Sequence, residues 1–178
     1  MSPARPPEGV QHRSAKREGS TVAAAQNMLV ASMQACSQRI DKLRLSVKKT
    51  RGLFPLTLER ATTLTEDEEE SVDALILRYS QCVSMIQDQL FRGIAYLEQE
   101  DISDKSNRDE ALLMEKLGAI QSADAFGTAT VLRNKFSHHY TDQSLLRLER
   151  LNLVVDESRY VVGAFESITH YLRNKGLS

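Results

Sequence analysis

The 178-residue chain has few of the residues that punctuate β structure, only eight glycines and four prolines. Three of the prolines fall within the first seven residues, and none follows Pro55. A β-sandwich or barrel turns often and needs many more such positions, so an all-α protein is expected. Cysteine is scarce too: Cys36 and Cys82 lie far apart in the chain, each within a helical pattern. That leaves no disulfide framework and no cysteine-based zinc cluster, and it points to a reducing, cytoplasmic setting. No apolar run approaches the ~18 residues of a membrane span, and the N-terminus lacks a signal-peptide core, so no membrane partner is expected. An excess of one charge is also missing, with 23 Lys and Arg against 24 Asp and Glu and a net charge of -1. This balance argues against coating nucleic acid by bulk charge but leaves room for a local basic site. The length fits one domain with a single sizeable core.

Residues 1–20 (MSPARPPEGVQHRSAKREGS) combine Pro, Gly, Ser and charge with almost nothing apolar. They read as a flexible tail, leaving 21–178 as the folded domain. From Thr21 to about Lys49, Val22, Ala25, Leu29, Met33, Cys36, Ile40, Leu43 and Val47 step by three and four, an amphipathic helix. Its C-terminal part carries Arg39, Lys42, Arg44, Lys48, Lys49 and Arg51 against only Asp41. Cations there complement the helix dipole. Lys42, Lys48, Lys49 and Arg51 are also the candidate RNA-phosphate contacts.

Gly52 and Pro55 break that pattern, and Thr65 with Glu68 forms a capping box opening a helix to about Glu98. The acidic run after Thr65 loads its first turn as the dipole favours. The carboxylates fan around the helix, so few of them could converge on one ion. Ser106 with Asp109 starts a shorter helix that Gly118 ends, and Ser122 caps the next, which runs to about His139. Asp142 or Ser144 begins a last long helix, in which Asp156-Glu157-Ser158 is a candidate kink. The sum is an up-and-down helical bundle of about five helices.

One segment departs from a generic bundle: Val131-Leu-Arg-Asn-Lys-Phe-Ser-His-His-Tyr140. On a helix with Arg133 at 0°, Leu132, Phe136 and Ala129 fall at about 260°, 300° and 320° and define the buried stripe. Arg133, Ser137, Thr130, Asn134 and His138 fall between about 0° and 140°, a polar face. Asn134 and His138 are i,i+4 neighbours, so the amide can orient the imidazole, and Arg133 reaches the same spot. His139 projects at about 240°, on the Leu132 side, and is expected to be structural. An imidazole to move protons and a guanidinium to meet developing phosphorane charge together suit phosphodiester chemistry.

Arg133-Asn134-x-x-x-His138-x-Tyr140 resembles the R-x4-H-x-Y signature of the HEPN superfamily, and in particular the HepT toxins of HepT/MntA toxin–antitoxin pairs. The stretches DALILRYSQCVSMIQDQLF and EKLGAIQSADAF…LRNKFSHHY extend the resemblance over roughly residues 70–140. Two departures are the second histidine, His139, and the N-terminal fifty residues, for which no family counterpart is claimed. The resemblance implies a helical bundle that dimerises, with the two motifs meeting in a cleft between protomers. It implies metal-independent endoribonuclease activity without a cofactor, with Arg133 and His138 catalytic and Asn134 in support. It also implies a cognate MntA-like nucleotidyltransferase that neutralises the toxin by transferring AMP to Tyr140. Family analogy points to transfer RNA as substrate. His138 would take the 2′-hydroxyl proton, and the His138 of a second copy would protonate the leaving 5′-oxygen. A reading from another class is a non-catalytic, substrate-binding partner of a minimal nucleotidyltransferase. A third is a structural module carrying the motif by chance. Growth arrest on expression without the neighbouring gene separates the first reading from the other two.

Overall fold

Apolar steps of three and four become helices here wherever a cap or a breaker bounds them. The computed structural model describes residues 9–137 and 144–177, with backbone alone for 9–20 and Ser144. Among the described residues there is no strand. Helix α1 spans Gly9–Thr50, so it starts well before Thr21 and takes in residues 9–20 that composition assigns to a tail. Pro3, Pro6 and Pro7 precede it and no proline follows until Pro55, so nothing in between breaks the helix. A 3-10 turn at Arg51–Leu53 and a short helix α2, Leu58–Ala61, fill the connection.

Helix α3 (Glu66–Met85) opens with the expected capping box. Thr65 Oγ1 accepts from the Glu68 amide at 3.3 Å, and Glu68 Oε2 accepts from the Thr65 amide at 2.9 Å. The plain helix expected to about Glu98 is instead interrupted by a π-helical turn, Ile86–Phe91, before α4 resumes at Arg92–Leu97. The extra residue in that turn widens the buried stripe, so both Leu90 and Phe91 reach the core. There Phe91 packs on Phe126 with ring centroids 4.7 Å apart. Gly93 follows because α1 lies close, and a Cβ at that position would sit 2.7 Å from Leu29 Cδ1.

Helices α5 (Asn107–Lys116) and α6 (Ala123–Ser137) start on Ser106 and Ser122 as expected. Gly118 ends α5 with φ 77°, the left-handed conformation that glycine adopts freely. Helix α7 runs unbroken from Ser144 to Asn174. Asp156-Glu157-Ser158 therefore does not interrupt it, and buried Ser158 donates its hydroxyl to the Val154 carbonyl within the same helix.

Cross-helix pairs give the directions. Leu29 faces Gly93, Arg39 bonds Gln81 and Ser46 bonds Arg78, so α1 and α3–α4 are antiparallel. Phe91 meets Phe126 and Ser84 meets Arg133, so α3 and α6 are antiparallel as well. Tyr160 donates to the Ser122 carbonyl and Arg150 to that of Lys135, which sets α7 against α6 in the same sense. The long helices thus alternate in direction around a core that includes Leu75, Tyr79, Ile86, Leu90 and Met114, an up-and-down bundle. No helix among the described residues is long and apolar enough to cross a membrane.

Cys36 and Cys82, distant in sequence, share the α1–α3 seam as buried free thiols. Burial pushes each up to about 12, and for Cys36 the neighbouring Cys82 adds to the effect. Such a shift from 9.0 to about 12 lowers the reactive thiolate roughly 10³-fold at mildly alkaline pH. Iodoacetamide should therefore label neither thiol until the bundle unfolds. Labelling read by mass spectrometry along a urea series should follow the loss of helical circular dichroism. Alkylation of the folded protein at a free-thiol rate would show that the seam opens locally.

Candidate functional site

Helix α6 is fixed to the core before any polar side chain matters. Leu132 and Ala129 are buried as the helical wheel predicts, and Phe136 packs edge-on against Tyr79 at 6.4 Å and 84°. The Tyr79 hydroxyl donates to the Ala129 carbonyl at 2.8 Å, tying α3 to the middle of α6. Burial and the nearby Glu157 carboxylate push this phenol well above its ordinary range, while Arg133 pulls it partly back. Thr130, which the wheel places on the polar face, is instead buried at 8% exposure. Its hydroxyl donates to the Phe126 carbonyl at 3.1 Å, so the helix itself satisfies it and the methyl group can turn inward.

Arg133 is half-buried at the α3–α6 seam. Its Nη1 donates to Ser84 Oγ at 2.7 Å, and its Nε donates to Asn134 Oδ1 at 3.1 Å. A guanidinium carries five N–H donors, so fixing two leaves a fork that can still donate to an oxyanion. Asn134 is exposed, and its amide oxygen serves Arg133. The sequence pattern assigned that amide to His138. His138, His139 and Tyr140 lie outside the described residues, so the general base, the second histidine and the modification site stand on the sequence alone.

Beside Asn134 a groove of about 680 Å³ runs between α5, α6 and α7, lined in part by Arg108, Val131, Lys135, Leu153 and Glu157. Glu157 is half-buried, and its carboxyl is held above the ordinary range by that burial and by Asp156. Among the described residues no group of three or more His, Cys, Asp or Glu side chains could hold a metal ion.

The expected RNA contacts Lys42, Lys48, Lys49 and Arg51 are all exposed but do not all share one face of the helix. Lys48 is six residues from Lys42, about 120° around the helix, whereas Lys49, seven away, returns to within about 20° of it. Lys48 and Lys49 occupy the last turn of α1 and Arg51 the turn beyond, farther along the bundle than Arg133. The α1 cation at the level of Arg133 is Arg39, which bonds Gln81 one turn from Ser84. Sequence reasoning passed over Ser84, Gln81 and Arg78 because serine and glutamine in mid-helix carry no signal of a partner tens of residues away. No protein-family model, curated protein or solved structure matches the chain.

Proposed function

We propose that the chain is a metal-independent endoribonuclease of the HEPN type, the toxin of a HepT/MntA-like toxin–antitoxin pair. The observation that supports this reading most is the mounting of Arg133. The guanidinium is anchored across the bundle to Ser84 and along α6 to Asn134, one turn before the Ser-His-His-Tyr sequence. A cation so fixed is set to meet charge that develops on a phosphorane without reorganising first.

In the proposed reaction the RNA 2′-oxygen attacks the adjacent phosphorus while His138 takes the hydroxyl proton. The bond from phosphorus to the 5′-oxygen breaks, and the His138 of a second copy returns a proton to that oxygen. The products are a 2′,3′-cyclic phosphate and a free 5′-hydroxyl. Each chain has one motif imidazole of this kind and the reaction has two proton transfers, which is the physical reason for a homodimer. The dimer acts in the cytoplasm, with a nucleotidyltransferase of the MntA type as its antitoxin.

Incubating the purified chain in EDTA with an RNA oligonucleotide, and with the same oligonucleotide carrying one 2′-deoxy substitution, tests this. Cleavage should end in a cyclic phosphate and vanish at the deoxy position. Cutting of DNA, or no cutting of any RNA by a toxin that arrests growth, would exclude 2′-hydroxyl chemistry.

A further inference from the structure

The outward side of α3 is crossed by cations that pair with no carboxylate among the described residues. On its α6 edge, Arg133 Nη1 donates to Ser84 Oγ at 2.7 Å. Almost one turn earlier, Gln81 Oε1 accepts from Arg39 Nη1 of α1 at 2.8 Å. Another three residues back, Arg78 donates to the Lys42 carbonyl at 3.4 Å and to the Ser46 hydroxyl. Positions 78, 81 and 84 are successive i,i+3 neighbours, so the anchors form a shallow spiral over one side of the helix.

Each of these guanidiniums rests on a neutral hydroxyl, amide or carbonyl. Among the described residues none of Arg39, Lys42, Arg78 and Arg133 forms an ion pair. Arg44, two residues after Lys42, behaves differently, being paired with both Asp41 and Glu166 toward α7. Acid bounds the band at both ends, in the Glu66–Glu70 run and exposed Asp73 toward the start of α3 and at exposed Asp88, one turn beyond Ser84. Neutral anchors hold a guanidinium in place without cancelling its charge, and every anchored fork keeps N–H groups to spare. Such an arrangement matches a phosphodiester backbone, whose binding releases counterions for each phosphate neutralised.

We propose that Arg39, Lys42, Arg78 and Arg133 form a phosphate track along which single-stranded RNA crosses α3. The track leads the strand to the phosphodiester at Arg133. It is one helix wide, about 10–12 Å, and follows one strand rather than covering a duplex. Its link to cleavage rests on the ribonuclease reading; the track itself rests on the placement of the charges.

The test uses fluorescence anisotropy with a labelled, fully 2′-O-methylated oligouridylate, which binds without being cleavable, across a KCl series. The full chain is compared with an Arg39→Gln/Lys42→Gln double variant and with Lys48→Gln. Lys48 lies nine residues from Arg39, about 180° around α1. All three substituted positions are exposed, and matching thermal melts verify the fold. The double variant should bind more weakly, with the slope of log K against log salt reduced by about 1.4, about 0.7 per lost contact on a single strand. Lys48→Gln should match the wild type.

An unchanged slope in the double variant overturns the track, as does an equal loss in Lys48→Gln, which would mean diffuse charge. Binding of phosphatidylserine vesicles in place of the oligouridylate overturns it as well. A parallel reaction with unmodified RNA separates the two proposals. A track-dependent slope without cleavage retains the track and removes the nuclease, whereas wild-type cleavage and binding by the double variant do the reverse.

Discussion

Arg133→Ala should lower RNA cleavage by roughly 10²–10³-fold, the usual loss when one preorganised donor to a developing oxyanion is removed. The fold should survive. Arg133 is only half-buried, and its two partners, half-buried Ser84 and exposed Asn134, can turn to water when it is gone. The stability cost should therefore stay at ~1 kcal/mol, the net worth of an ordinary hydrogen bond. Arg133→Lys keeps the charge but has no fork to reach Ser84 and Asn134 together, and it should recover little of the rate. His138→Ala should lose a comparable or larger factor, roughly 10²–10⁴ for a general base. His139→Ala is the informative control, expected to cost stability more than activity because its sequence position falls on the apolar side of the wheel. Initial rates on a defined RNA, paired with thermal melts, distinguish these cases. A folded but inactive His139 variant beside an active His138 variant would reverse the assignment of the base.

Ser84 belongs to the same argument, and it shows where the sequence ran out. The stripe of Ala129, Leu132 and Phe136 was legible because burial imposes a 3.6-residue period on apolar side chains. The Thr65 and Ser106 boxes and Gly118 were legible because caps are satisfied within four residues. What could not be read was any contact closed by a polar residue from another helix. Arg133 on Ser84, Arg39 on Gln81 and Asn152 clamping the Leu56 backbone are all of this kind. The π turn was hidden for a related reason. One inserted residue leaves the apolar steps around Ile86 and Leu90 intact while rotating Phe91 inward, so periodicity alone cannot detect it. Cys36 and Cys82 looked unrelated because separation along the chain says nothing about neighbours across an antiparallel seam.

Co-expression with an MntA-like nucleotidyltransferase should abolish RNA cleavage by attaching AMP to Tyr140. In that transfer the phenol gives up its proton to solvent as its oxygen attacks the α-phosphorus of ATP, the bond to the β-phosphate oxygen breaks, and pyrophosphate leaves. A neutral side chain thereby becomes an anionic phosphodiester carrying a bulky nucleoside. Tyr140 follows Arg133 by seven residues, a spacing that on an ideal helix returns within about 20° of the same direction. The new phosphate would then compete for the N–H donors that Arg133 offers a scissile phosphate, a charge-assisted contact roughly twice as strong as a neutral one. Modified protein should accordingly lose binding to the 2′-O-methylated oligouridylate as well as turnover. A block that acted only on the chemistry would leave that binding intact. Intact-mass and peptide mass spectrometry should find AMP on Tyr140 and none in Tyr140→Phe, which should still cleave RNA and escape neutralisation. If the antitoxin silences Tyr140→Phe equally well with no adduct, neutralisation works by docking, and Arg133 is covered by a protein surface rather than by a nucleotide.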